Sequence, residues 1–154
     1  MTRIYLIRHA EAEGNLYRRI HGQYNSLITN NGYRQIKALE ERFRDIHIDA
    51  VYSSDLFRTM TTAQAITVPK GLRLITRPDL REINMGDWED HTFAYISRRD
   101  KELLKQFSTT SPLFRAPRGE SFLELSQRGV SAIRSIAAMH DGKTVAVFAH
   151  GTLI

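Results

Sequence analysis

Arg8-His9 follows the apolar run Ile4-Tyr5-Leu6-Ile7, and His150 follows Thr144-Val145-Ala146-Val147-Phe148-Ala149. Arg58 lies one turn into the segment after Asp49-Ala50-Val51-Tyr52. Two imidazoles and two guanidiniums gathered at strand ends would offer donors to the several oxygens of a tetrahedral phosphoryl group. Arginines alone suffice for binding. The histidines point further, to covalent chemistry, because an imidazole with one unprotonated nitrogen is a competent nucleophile near neutral pH while a lysine is blocked by its proton. Either histidine could attack. His9 has the stronger claim, since it ends a central-looking strand and has Arg8 beside it, which leaves His150 as a charged partner of the transferred group. A departing alkoxide needs a proton, and Glu82 in Leu80-Arg81-Glu82-Ile83 could supply it. Apolar Ile83 and Met85 would favour its protonated form, nearby arginines would oppose it, and Arg81 is a candidate ion-pair partner. Asp87 and Glu89 are weaker candidates, later in the same stretch.

These residues need elements to hold them. Residues 4–7 and 144–149 are apolar on both faces, as central parallel strands between helical layers are. Residues 49–52 and 72–75 read as two further strands. A helix is expected over about residues 31–45, opened by Thr29 or Asn30 and carrying Tyr33, Ile36, Leu39 and Phe43 along one side. Ser53-Ser54-Asp55 is expected to cap a second helix running to about Ile66, with Pro69-Lys70-Gly71 interrupting the chain. Residues 79–90 lack a clean period and read as a loop forming a lid or wall, with Trp88 packing it. Irregular helices over 92–107 precede a long helix opened by Ser121 and Glu124, with Phe122, Leu125, Gly129, Ile133 and Ile136 in its apolar stripe. Alternating strands and helices specify a three-layer α/β/α sandwich with a mostly parallel sheet, whose ligand site lies beyond the carboxyl ends of the strands.

The chain has 154 residues, enough for a single domain spanning 1–154, and 42% hydrophobic content argues against disorder. Its net charge of +5 comes from arginines and lysines scattered along the chain, and no zinc-finger, basic-zipper or RNA-binding pattern accompanies them. An anionic small molecule is therefore expected in place of nucleic acid. With no cysteine there is neither a disulfide framework nor a thiolate metal site, which fits a reducing cytoplasm. No apolar stretch approaches a membrane span, so no membrane partner is expected. No His-Glu-x-x-His grouping, dinucleotide glycine pattern or Gly-rich loop ending in Gly-Lys-Ser or Gly-Lys-Thr is present, so neither a metal nor a cofactor is expected. His47, His91 and His140 have no evident partner.

Four stretches in order resemble the histidine phosphatase superfamily, the phosphoglycerate mutase-like family. They are Arg8-His9-Ala10-Glu11-Ala12-Glu13-Gly14-Asn15, Tyr52-Ser53-Ser54-Asp55-Leu56-Phe57-Arg58, Arg81-Glu82-Ile83-Asn84-Met85-Gly86-Asp87-Trp88-Glu89, and His150-Gly151. The resemblance implies a phosphohistidine at His9, a phosphate pocket of Arg8, His9, Asn15, Arg58 and His150, and Glu82 as the proton donor that later activates water. It also implies that Ser54 caps the Arg58 helix. His21-Gly22-Gln23-Tyr24-Asn25 is similar to the family segment before its first helix, with Asn25 where Asp is usual. Arg118-Gly119-Glu120-Ser121 resembles the loop entering its last long helix. Arg19, His21, Gly22, Arg81, Arg115 and Arg118 are weaker substrate-contact candidates, the arginines having solvent-facing charge as their alternative reading. Ala10 replaces the family's glycine, which is mild if its φ is negative and straining otherwise.

Family mutases carry Glu-Arg-His-Tyr where this chain has Glu82-Ile83-Asn84-Met85, so water is the expected acceptor and a phosphomonoesterase acting on a small phosphate ester is the implied activity. Phosphoglycerate-mutase-type transfer is the alternative, and a catalytically weak phosphate-binding or structural partner is another. The chain stops at Gly151-Thr152-Leu153-Ile154, where the family begins a further helix and strand. An incomplete domain is therefore expected, with an apolar surface and sheet edge left open for a second copy or a complementary chain.

Overall fold

A computed structural model describes residues 1–154. Strands β1 (Arg3–Arg8), β2 (Ala50–Ser53), β3 (Leu74–Thr76) and β4 (Thr144–Ala149) form one sheet in the order β1-β4-β2-β3, parallel throughout. The helices are α1 (Glu13–Leu16), α2 (Asn30–Phe43), α3 (Phe57–Lys70), α4 (Phe93–Arg99), α5 (Lys101–Ser108) and α6 (Phe122–Met139). Single 3-10 turns at Pro78–Leu80 and Gly86–Trp88 punctuate the 79–90 stretch.

Side chains alternate across each strand, so neighbouring residues of β4 feed different cores. Ala146 and Phe148 pack with Val51, Phe43, Ala63 and Ile66 beneath α2 and α3, whereas Val145 and Val147 pack with Tyr52, Ala132 and Ile136 beneath α6. The result is the expected three-layer sandwich. A third core, containing Ile20, Ile83, Met85, Trp88, Phe114 and Leu125, fastens the 79–90 wall to α6 and to the segment around Phe114.

Local chemistry explains most boundaries. Thr29 Oγ1 accepts from Gly32 N at 3.0 Å and opens α2, and Ser121 with Glu124 forms a reciprocal capping box for α6. Three expectations need correction. The first strand looked central but β1 is an edge: β4, paired on both sides, is almost wholly buried, while Leu6 of β1 is 45% exposed. The second helix does not stop near Ile66, because Pro69 falls in the final turn of α3, where its missing N–H costs only one helical bond, and Gly71 at φ 62° ends the helix. Ser54 does not cap α3 either. The helix starts three residues later, and Phe57 N instead donates to Asn25 Oδ1 at 2.8 Å, a cap supplied by the loop before α2.

Leu6, Val130, Ile133, Leu153 and Ile154 line an open apolar groove of about 340 Å³ between the outer strand and α6. No helix is long and apolar enough to cross a membrane.

Candidate active site

Strand register assembles the site. Arg8 pairs with Ala149, so His9 and His150 leave the sheet at one level, and Ser53 pairs with Phe148, which puts Ser54 one residue short of them. The His9 and His150 rings lie 5.3 Å apart, centroid to centroid. His9 Nδ1 is 2.7 Å from the carbonyl of Ala10, which can only accept, so Nδ1 carries the hydrogen. The remaining nitrogen, Nε2, then bears the lone pair. Burial, opposed only by that carbonyl contact and assisted by Arg58, His21 and Arg8, lowers the His9 pKa from 6.5 to about 3 and keeps the ring neutral. Ala10 in turn donates its N–H to Thr62 Oγ1 at 2.9 Å, and its φ is not positive, so alanine sits there without strain.

His150 is fully buried, and burial above all, then Arg58 and His9, pushes its pKa well down. Its Nε2 is 2.8 Å from Ser54 Oγ, which is itself 2.6 Å from Thr59 Oγ1. Arg58 is equally buried, and burial lowers its pKa to about 10, leaving it charged at neutral pH. It donates through Nη1 to Tyr24 O at 2.8 Å and through Nη2 to Gly22 O at 2.7 Å. Arg8 lies exposed beside Gly151 with no protein acceptor, and it shares with His9, Glu11, Asn15 and Gln35 an open cavity of about 350 Å³. Asn15 Oδ1 accepts from Ala12 N at 3.0 Å, which leaves its amide N–H groups for the cavity.

Glu82 lies within the field of Arg58, with Oε1 accepting from its neighbour Ile83 N at 3.0 Å and Oε2 from Thr152 N, two residues past His150, at 3.1 Å. The Ile83 and Met85 side chains turn away into the core. Arg81 does not pair with Glu82. It forms two 2.6 Å bonds with the Asp55 carboxylate, and Gln23 Oε1 accepts from it at 3.4 Å. The structure therefore brings together Arg8, His9, Asn15, Arg58, Glu82 and His150, with His21 edge-on to His9 at 5.9 Å and Gly22 as an Arg58 acceptor. Arg19, Arg115 and Arg118 lie apart, each paired locally, with Asp90, Glu124 and Asp87 respectively. His47, His91 and His140, partnerless in the sequence, meet Asp49, Tyr95 and Tyr52. No group of three or more His, Asp or Glu side chains is placed to hold a metal ion.

Two positioning roles are not legible in the sequence, that of Glu89, weighed above only as a proton donor, and that of Arg128. Glu89 Oε1 accepts from both Gln23 N and Met85 N, at 2.8 and 3.0 Å. Arg128 of α6 donates to the carbonyls of Asp79, Arg81 and Glu82 while its fork grips Glu120. An arginine beside the apolar stripe of α6, and three buried threonines (Thr59, Thr61, Thr62) on α3, were the available signals. Five buried side-chain polar atoms in the molecule lack a protein partner, and two of them, Arg58 Nε and His150 Nδ1, belong to groups beside His9. Buried polar groups are ordinarily satisfied, so this concentration marks the place where a polar ligand belongs.

The chain is 36% identical over 151 residues, 98% of its length, to "Probable phosphoglycerate mutase GpmB" of Proteus mirabilis, spanning 70% of that protein. Among solved structures it superposes on Bacillus stearothermophilus YhfR with a TM-score of 0.95 at 32% identity, covering 99% of this chain and 76% of that one. The alpha-ribazole phosphatase of Shigella flexneri follows at 0.89 and 25% identity, with 98% and 75% coverage. The pattern defining the histidine phosphatase superfamily (branch 1) extends over residues 4–154, and the chain belongs to that superfamily.

Proposed function

We propose that this protein is a phosphomonoesterase that transfers the phosphoryl group of a small ester to His9 Nε2 and then to water. The observation that carries this reading is the neutral, tautomerically pinned His9 facing unsatisfied donors on Arg58 and His150. In the first half-reaction the Nε2 lone pair attacks phosphorus while the ester oxygen leaves and takes a proton from Glu82. Arg8, Arg58, Asn15 and His150 hold the peripheral oxygens, which keep their charge throughout, so their donors serve the transition state as well as the bound ester. A phosphoryl oxygen beside His150 selects the tautomer with hydrogen on Nδ1, and Ser54 then donates its hydroxyl hydrogen to Nε2. In the second half-reaction Glu82, now a carboxylate, accepts a proton from the attacking water, the N–P bond breaks, and free His9 and inorganic phosphate result. The proton on Glu82 is restored and the cycle closes.

Water is the acceptor in this reading because the positions after Glu82 supply no cation: Ile83 and Met85 are each 2% exposed and sealed in the core. The name of the Proteus mirabilis relative favours a second reading, phosphoryl transfer between phosphoglycerate positions. The two separate on product. The esterase reading predicts release of inorganic phosphate from an aryl phosphate without added divalent metal, and an acid-labile phosphoenzyme that disappears in His9→Ala. Normal turnover in His9→Ala would sink it, and interconversion of phosphoglycerates without phosphate release would favour the second reading. Rates over sugar phosphates, phosphoglycerates and nucleotides would then define the substrate.

A further inference from the structure

The third imidazole of the site has no place in that reaction, yet it is built in with unusual care. His21 sits on a loop tied down on all sides: Ile20 N donates to His91 O and Asp90 N to Ile20 O, both at 2.9 Å. Gln23 N donates to Glu89, and the Arg58 fork holds the carbonyls of Gly22 and Tyr24. Gly22 has φ +49°, and a Cβ there would lie 2.2 Å from Glu89 Oε1, so a side chain beside His21 would be strained and would displace Glu89. The His21 ring meets His9 edge-on, at 5.9 Å between centroids and 81° between planes. The ring edge that carries Nε2 and Cδ2 rests on Gly14, where an added Cβ would fall 2.1 Å from Nε2 and 2.2 Å from Cδ2. Nε2 is buried and bonded to nothing.

Pressed against Gly14, Nε2 has no room for a phosphoryl oxygen between itself and that backbone. What reaches the nucleophile is the ring. We infer that His21 is a positioning residue: wedged between Gly14 and His9, it holds the His9 imidazole with Nε2 in line for attack, and Gly14 is glycine to seat it. The Ala10 carbonyl fixes the Nδ1 end of His9 but leaves the ring free to swing about that bond; a flat neighbour on its edge removes the freedom. The neutral state of His21, whose pKa burial, Arg58 and Arg8 lower to about 4, suits an apolar wall. This inference rests on the phosphohistidine reading above.

The test is the rate of phosphoenzyme formation in single turnover with an aryl phosphate, measured beside the affinity for inorganic phosphate, which occupies the pocket without bonding to His9. His21→Ala should slow phosphorylation about 3- to 10-fold, the range of one aromatic contact, and leave the affinity for inorganic phosphate within about twofold. His21→Phe, which keeps a ring and loses the unpaired nitrogen, should retain the wild-type rate; His21→Gln, polar without a ring, should behave like alanine. Gly14→Ala should reproduce the His21→Ala defect, and the double variant should add nothing to it. Rescue by glutamine with failure of phenylalanine would overturn the inference in favour of a hydrogen-bonding role, as would an unaltered rate in His21→Ala. Absence of phosphoenzyme in the wild-type protein would defeat the phosphohistidine reading itself, a distinct outcome.

Discussion

The chemistry at His9 is set by groups that never touch phosphate. Its tautomer comes from one carbonyl, and its companion His150 depends on Ser54, whose hydroxyl is 2.8 Å from Nε2. Ser54→Ala would leave His150 Nε2 buried without a partner and free the ring to rotate. A misplacement of about 1 Å can cost roughly 100-fold in rate, and an unmet buried group costs about 1–3 kcal/mol. The expected outcome is a 10- to 100-fold fall in kcat on an aryl phosphate, with a urea midpoint lowered by an amount in that energy range. In a His150→Ala background the same substitution should cost little more, because its effect travels through the imidazole. Full additivity of the two changes would show that Ser54 acts elsewhere.

At the scale of elements, α3 is held by a cap it does not encode. Asn25 Oδ1 receives Phe57 N, so one loop both starts the helix and, through Gly22 and Tyr24, receives the Arg58 fork that the helix projects. Asn25→Ala should destabilise the protein by about 1 kcal/mol in urea unfolding and raise KM, while Asn25→Asp should keep the cap. Arg128 fastens the other wall, since Arg128→Met would strand the carbonyls of Asp79, Arg81 and Glu82 and the Glu120 carboxylate. A loss of about 2 kcal/mol or more is expected, with the Glu82 loop the first segment to exchange its amide hydrogens. These two clamps also show where legibility ended. Strand and helix identities were readable because β-branched runs, Thr29, Ser121 and Gly71 act on their immediate neighbours. The meeting of His9, Arg58 and His150 was readable because each stands at a strand's end or just past it. The Ser54–His150, Asn25–Phe57 and Arg128–Glu82 contacts join residues 96, 32 and 46 positions apart, and such pairings leave no local trace. The same holds for strand order: an apolar hexapeptide states that it will be buried in a sheet, not which neighbour it will take, so β4 holds the centre while β1 lies outside.

Taken as a whole, the molecule keeps three imidazoles uncharged beside two arginines, Arg8 and Arg58, and this ties its stability to pH. His9 and His21 have folded pKa values of about 3 and about 4, and His150 is lowered as well, by burial first in each case. All three return toward 6.5 on unfolding. Below that value the unfolded chain binds protons that the folded chain refuses, so stability is complete above about pH 6.5 and is lost as pH falls toward the folded values. Each fully neutral imidazole contributes a slope of up to about 1.4 kcal/mol per pH unit, and the well-buried pair His9 and His150 together about 3 kcal/mol per unit near pH 5. Ion-paired or hydrogen-bonded carboxylates such as Asp55 and Asp49, whose pKa values are lowered, add their loss only near and below pH 4, where their unfolded counterparts protonate. Urea unfolding at pH 7.5, 6.5, 5.5 and 5.0 should therefore show a midpoint that is flat at the top of the range and falls steeply below pH 6. Replacing His9 by Asn should flatten that fall, since a neutral side chain there has no proton to refuse. A stability that stays level from pH 7.5 to 5 would mean that the imidazoles take up protons as readily folded as unfolded, and that burial does not hold His9 neutral below about pH 6.5.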